Sequence, residues 1–419
     1  MAEMKDSGTA WLGMIPKDWE LSKISSIYEL RTQKVSDKDY PPLSVTMNGI
    51  VPQLDSAAKT NAHDDRKLVK KGDFAINSRS DRRGSCGVSE YDGSVSLINT
   101  VMKPRDEMNP DYYNWLFHTI QFADEFYKWG HGIVDDLWTT NWQDMKHIDI
   151  PVPTLDEQKV IADYLNKAIP EIDALHTDIE KQIETLEEYK KSIITEAVTR
   201  GLDPDVEMKD SGIEWIGMIP KNWNLKRLGF ASVMQNGYVG ATQDILVDDG
   251  ERYIQSLHIK DGQIMFGNDF FVTKEWGEKH PKMYKGDILV VQTGNIGQVA
   301  IVDDEYDGCN CHALIICHVD NVNFVSQFLL YYLMSYAGNR ELIRYQTGTT
   351  LKHLNSSKIK YSKMVVPPKD EQSEIVKHLT PIIREVELVI EDKKKQLETL
   401  EQYKRSFIYE YVTGKKEVK

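Results

Sequence analysis

The chain repeats itself at long range. Met4 to Trp19 recurs at Met208 to Trp223 with the same residue at 12 of the 16 positions, and Gln182 to Gly201 matches Gln396 to Lys415 at 12 of 20. Two copies at this period indicate duplicated domains, not a solenoid of small units. Between the matching frames, from about Glu20 to Ile150 and from about Asn224 to Lys363, the halves share almost no local sequence. One scaffold therefore presents two different inserts, and function is expected in the inserts and geometry in the frames.

At 419 residues the chain fits two domains plus connecting helices. The boundaries read as residues 1–150, an insert with its opening segment; 151–201, a frame helix; 202–364, the second insert with its repeated opening; and 365–419, a second frame helix. No run approaches the roughly 20 apolar residues that span a bilayer, and Met1-Ala2-Glu3-Met4-Lys5-Asp6 has no signal-peptide core, so a cytoplasmic location is expected. Four cysteines do not make a disulfide framework. Cys309, Cys311, His312, Cys317 and His318 crowd together, but Cys-x-Cys is not the usual zinc-ligand step. The stretch Ala313 to Cys317 reads as a buried strand.

The net charge of −14 argues against a protein that coats nucleic acid by bulk attraction and confines any such contact to particular loops. Much of the acid lies on the frames, with 11 Asp or Glu against 6 Lys or Arg between Asp156 and Arg200.

The first frame helix is expected near Asp156, after Ile150-Pro151-Val152-Pro153-Thr154, with Thr154 as N-cap and acidic residues at the positive end of the helix dipole. Pro170 reads as a kink or as the first residue of a new helix. Beyond it Ile172, Leu175, Ile179, Leu186, Tyr189 and Ile193 trace a coiled-coil seam broken by Gln182. In the second half Val386, Val389, Leu397, Leu400, Tyr403 and Phe407 trace its counterpart, with Lys393 on the expected seam. The two helices are expected to pair antiparallel with approximate two-fold symmetry.

The inserts read as mixed α+β. Expected strands are Asp73 to Asn77, Val95 to Met102, Asp287 to Gln292, Gln298 to Val302 and Ala313 to Val319. Expected helices are Asp111 to Trp129, with Tyr112, Trp115, Leu116, Ile120 and Phe126 inward, and Val325 to Tyr345. Lys71-Gly72-Asp73 and Lys285-Gly286-Asp287 precede equivalent strands, which argues for a common insert fold. The fold class is thus α+β, with two mixed domains separated by two long antiparallel coiled-coil helices.

No motif names a catalytic site: there is no Gly-x-Gly-x-x-Gly turn, Walker loop or His-Glu-x-x-His. Asp39-Tyr40-Pro41-Pro42 has the letters of an amino-methyltransferase motif in the wrong order and reads as a turn. The polar loops fit recognition better. Asn77 to Ser85 carries Ser78, Arg79, Ser80, Arg82 and Arg83, whose guanidiniums suit guanine edges or phosphate. Gln292, Thr293, Asn295 and Gln298 occupy the matching place in the second half and suit adenine edges. Lys352 and His353, in Gln346 to His353, form a third candidate. The frames alone leave open a coiled-coil adaptor with two non-identical protein-binding inserts.

These residues resemble the specificity subunits of type I restriction-modification systems. The resemblance rests on Ser-Gly-x-x-Trp-x-Gly-x-Ile-Pro-x-x-Trp in both halves (Ser7 to Trp19, Ser211 to Trp223) and on the Pro-to-Glu-Gln helix starts (Pro153 to Gln158, Pro368 to Gln372). It rests also on the exits Glu196 to Gly201 and Glu410 to Gly414, and on Gly286 to Gly297. It implies a non-catalytic reader in which each target recognition domain recognises half of a bipartite site in double-stranded DNA while the helices fix the spacing. It also implies two docked methyltransferase subunits that bind S-adenosylmethionine and methylate adenine, and restriction subunits that use ATP and Mg. No cofactor or metal is expected in this chain. Pro170 departs from the family pattern and puts a single unbroken first helix in doubt. Glu171 to Arg200 would measure about 45 Å, on the order of 13 base pairs.

Overall fold

The computed structural model describes residues 3–54, 63–105, 108–132, 138–348 and 352–418. The chain forms two compact units, Met1–Glu180 with Lys395–Lys419, and Lys181–Lys394. Each unit therefore takes one insert, part of the first frame helix (Leu155–Arg200) and part of the second (Lys369–Val412).

Each insert is closed at its base by its own first and last strands. Glu20–Lys23 pairs antiparallel with Asp149–Val152 in unit one, and Asn224–Arg227 with Lys363–Val366 in unit two. Inside unit one, a four-stranded antiparallel sheet runs in the order Cys86–Val88, Phe74–Asn77, Asn99–Pro104, Tyr28–Leu30. Unit two repeats that order with Val299–Ile301, Ile288–Val291, Leu314–Val319 and Ser232–Asn236. The shared Lys-Gly-Asp turn is the local cause. Gly72 and Gly286 take φ of 88° and 87°, which a residue with Cβ adopts only at a cost. The following aspartate accepts the turn's own N–H, Lys70 N to Asp73 Oδ2 at 2.8 Å and Tyr284 N to Asp287 Oδ2 at 2.7 Å. The inserts diverged in sequence around a conserved turn geometry.

The inserts differ from expectation in three elements. Val95 to Met102 is two strands, Gly93–Val95 and Asn99–Pro104, joined by a turn in which Asn99 N donates to Ser96 O. Asp111 to Trp129 is two helices, Pro110–Phe117 and Ile120–Lys128, and Val325 to Tyr345 is likewise Ser326–Met334 and Tyr336–Ile343. A hydroxyl causes both breaks: Thr119 caps Phe122 N and Ser335 caps Gly338 N, each in extended conformation. Ile120, now at a helix start, is exposed, whereas Tyr112, Leu116 and Phe126 are fully buried. Cys311 and Cys317 are buried strand residues, and burial pushes both thiols up to about 12.

The first frame helix is continuous, and Pro170 lies inside it. The doubt about its continuity is removed because Pro170 sits on the exposed face, where the carbonyl it leaves unpaired can meet water. Pro381 is accommodated within the second helix in the same way. Thr154 and Glu157 form a reciprocal cap, with Thr154 N donating to Glu157 Oε2 at 2.9 Å and Glu157 N to Thr154 Oγ1 at 3.4 Å.

Within each unit the two frame helices run antiparallel. In unit one Tyr164 meets Phe407 and Tyr411, with ring centroids 5.9 and 4.9 Å apart, and Lys404 pairs with Asp173 at 2.5 Å. In unit two Lys190 pairs with Glu387 at 3.2 Å. The seam passes through Ile172, Ile179, Leu186 and Ile193 on the first helix and Val386, Lys393, Leu397, Leu400 and Phe407 on the second. Leu175, Tyr189, Val389 and Tyr403 are off it, 40% to 50% exposed. Their places are taken by His176, Lys190, Ile390 and Lys404. Lysine stems cover apolar surface while their ammonium groups reach a carboxylate, so Lys190 and Lys404 can fill seam positions that apolar spacing would assign to their neighbours.

The repeated opening segments pack on helix ends. In unit one Tyr409 Oη donates to Trp11 O at 2.6 Å, and Gly414, with φ of 69°, closes the second helix against Pro16 and Trp19. In unit two Gly201 lies against Trp223 in the same role. Among the described residues no helix is long and apolar enough to cross a membrane. A Cβ added at Gly414 would lie 2.4 Å from Pro16 Cγ, whereas one at Gly8 (φ 73°) meets nothing within 4 Å. Gly414→Ala should therefore destabilise by about 2–4 kcal/mol and Gly8→Ala by only about 1 kcal/mol, compared by urea-denaturation midpoints; equal costs would contradict the packing described.

Candidate nucleic-acid interface

In each unit the second sheet strand runs, fully buried, into an exposed polar loop, so a rigid strand aims a reactive segment outward. In unit two that loop is Gln292–Gln298. Gly294 and Gly297 take φ of 83° and 86°, and Asn339 Nδ2 donates to Gly297 O at 2.9 Å, which fixes the loop's far end. The segment Gln346 to His353, distant in sequence, is folded onto it. Leu354 N donates to Gln292 O at 2.9 Å, Thr293 bridges to His353, and Thr347 exchanges backbone hydrogen bonds with His353 at 2.8 and 2.9 Å. The two candidate loops of this half are thus one surface. Thr293, Asn295, Lys352 and His353 are exposed and Gln292 half-buried, while residues 349–351 lie outside the described residues. Gln298 points elsewhere and lines a groove of about 340 Å³ with Lys190 and Lys191 of the frame helix.

Unit one builds the same arrangement from different residues. Arg79 bridges to Thr139, which also bridges to His131, and Thr140 N donates to Ser78 O at 2.9 Å. The segment around His131 and Thr139 is therefore the counterpart of Thr347 to His353. It is absent from the sequence-derived site, and the one signal for it is Gly132, which follows the insert helix as Gly348 does. Residues 133–137 lie outside the described residues.

The arginine loop divides its labour. Ser78 is buried, its Oγ 3.1 Å from Thr100 Oγ1, and supports the loop instead of facing solvent. Ser80 opens a single 3-10 turn ending at Arg82, and its side chain lies outside the described residues. Arg83 is held by the Asp124 carboxylate and lies over the Tyr127 ring, 5.6 Å from its centroid. Burial raises the Tyr127 phenol, which stays protonated and donates to Arg79 O at 2.8 Å. Arg79 and Arg82 remain exposed, Arg82 beside Asp81 at 3.5 Å. Arg83 is exposed as well but committed to Asp124, so Arg79 and Arg82 are the guanidiniums this braced turn offers as charge-assisted donors to phosphate or a base edge. Among the described residues no three His, Cys, Asp or Glu side chains are grouped to hold a metal ion.

Comparison with known proteins places this geometry. The family model described as type I restriction modification DNA specificity domain matches twice, over residues 16–185 and 220–399. The type I restriction enzyme MjaVIII specificity subunit of Methanocaldococcus jannaschii is 24% identical, over 97% of this chain and 94% of its own. The EcoBI specificity subunit of Escherichia coli is 27% identical over 55% of this chain and 50% of its own. Among solved structures, a chain from a type I R-M system studied for complex assembly and conformational transition superposes with TM-score 0.71 at 14% identity, covering 96% of this chain and 99% of that one. The HsdS subunit of Thermoanaerobacter tengcongensis gives 0.50 at 16%, covering 96% and 98%. With the model matched twice, once in each repeated half, the chain belongs to the type I restriction-modification DNA specificity family.

Proposed function

We propose that each unit reads one half of a bipartite, asymmetric site in double-stranded DNA, and that the frame helices set the spacing between the halves. One observation carries this reading. The same sheet, in the same strand order, presents paired loops whose chemistry differs: Arg79 and Arg82 in one unit, Gln292, Asn295 and Lys352 in the other. Identical support with unlike donors and acceptors is what reading two different half-sites requires.

The reaction belongs to partners in this proposal. Two methyltransferase subunits dock on the frames, bind S-adenosylmethionine and methylate adenine, and restriction subunits use ATP and Mg for cleavage. The chain contributes recognition and no catalysis. The names of its relatives, specificity subunits of restriction enzymes, support a role within such an assembly. So does the chain's net charge of −14, which leaves affinity to local loops and to the partners.

Replacing residues 20–150 by the first insert of another family member should change one half of the methylated motif and leave the other intact, read by mapping methylated adenines; a change in both halves or in neither would overturn modular reading. Arg82→Ala should weaken DNA binding of the reconstituted complex and, if it contacts phosphate, reduce the salt slope by about one. An unchanged affinity across a salt titration would remove Arg82 from the interface.

A further inference from the structure

Unit one carries a second element beside its arginine loop that the sequence did not single out. Leu43–Thr46 and Gly49–Pro52 form a hairpin whose tip is Met47-Asn48. We propose that this hairpin is a base-reading ribbon that enters the major groove, with the Asn48 amide on one base edge and Met47 packed beside it. The proposal rests on the DNA-recognition reading above and assigns a specificity-determining residue within it.

The ribbon is held rigidly. Leu43 and Ile50 are buried in a small core with Val69, Ala75, Val95 and Val101. Its backbone lies directly on the sheet, since a Cβ on Gly87 would come within 2.8 Å of Gly49 Cα. Glycine at 87 is what permits that approach. At the tip, Thr46 Oγ1 donates to Gly49 O at 2.9 Å and accepts from Asn48 N at 3.1 Å, so the turn is locked by a side chain of the ribbon itself.

What the tip presents is unspent. Met47 is 70% exposed. The Asn48 side chain is exposed and makes no hydrogen bond among the described residues, leaving a donor and an acceptor side by side. That pair matches the adenine major-groove edge, and a two-stranded ribbon fits a groove about 12 Å wide. Between the ribbon and the arginine loop lies a cleft of about 620 Å³, with Thr46 and Met47 on one wall and Asn77, Arg79 and Arg82 on the other. Guanidiniums facing Met47 across such a cleft supply the backbone contacts that orient the ribbon, while Asn48 stands on the other side of the tip, on a cavity of about 980 Å³ that Arg83 also lines.

The test uses the full chain assembled with its unaltered methyltransferase subunits, with methylated adenines mapped on a DNA library. Asn48→Ala should relax discrimination on the order of tenfold or more at one or two positions of the half-site assigned to unit one by insert exchange, leaving the other half unchanged. Asn48→Asp, which replaces the donor by an acceptor, should move preference towards a base presenting a donor there, as cytosine does. An unchanged motif with both variants, or a uniform fall in methylation with the motif intact, would overturn base reading by the hairpin. Relaxation of both halves together would overturn it along with the split-site reading beneath it, whereas a change confined to the other half would sink the hairpin alone.

Discussion

A buried glutamine amide at the start of each frame helix joins the parts that must not move relative to one another within a unit. Gln158 accepts from Asn109 N at 2.8 Å and donates to Pro153 O at 2.8 Å; Gln372 accepts from Val325 N and donates to Pro367 O, both at 3.0 Å. One side chain thus ties the strand leaving the insert, the helix inside the insert and the frame helix. Both amides are at most 1% exposed. A buried amide that loses a partner costs the desolvation of a polar group, so the arrangement is specified as well as stabilised. Next to each, an indole N–H reaches the adjoining glutamate, Trp19 to Glu157 at 3.1 Å and Trp223 to Glu371 at 2.8 Å. Burial acts to raise the Glu157 carboxyl, but hydrogen bonds from Thr154 and Trp19 outweigh it and hold the group below its usual range.

The inserts could diverge because this tie is indifferent to them. It uses backbone N–H groups of the insert, Asn109 and Val325, and so places no demand on insert side chains. The central sheet adds a second sequence-sparing device, the Lys-Gly-Asp turn, whose work is done by one positive-φ glycine and one carboxylate. The partner of that carboxylate is free to change: Arg31 in unit one, through two hydrogen bonds to Asp73 at 2.5 and 2.8 Å, and His318 Nδ1 in unit two, 2.8 Å from Asp287.

These devices explain what could be read from the sequence. The duplication, the insert limits, the equivalence of the sheets and the polar loops on them were legible because each leaves a local mark, a repeated string or a turn with a required glycine. The breaks at Thr119 and Ser335 were not, since the apolar spacing continues across them and the decisive event is a single hydroxyl turning to cap. Apolar content alone does not mark the seam: Leu175 and Tyr189 fit the apolar spacing, but His176 and Lys190 face the partner helix. The His131 to Thr140 segment was missed for another reason. Its role comes from pairing with Arg79 and Ser78, a nonlocal contact that no window of sequence contains.

The displaced seam residues have a consequence for assembly. Leu175 and Tyr189 on the first helix occupy the same repeat positions as Val389 and Tyr403 on the second, and all four stand 40% to 50% exposed. Large apolar groups exposed at repeated places are costly as solvent-facing surface and useful as contact surface. A duplicated frame presenting one face twice suits two copies of one partner, which is the stoichiometry the proposed function asks of the methyltransferase subunits. The inserts, by contrast, have no reason to stay alike if, as proposed, they read unlike half-sites. Likeness of the frames and divergence of the loops are then two results of one division of labour in the proposed function: the repeated frame serves docking and the unlike loops serve reading.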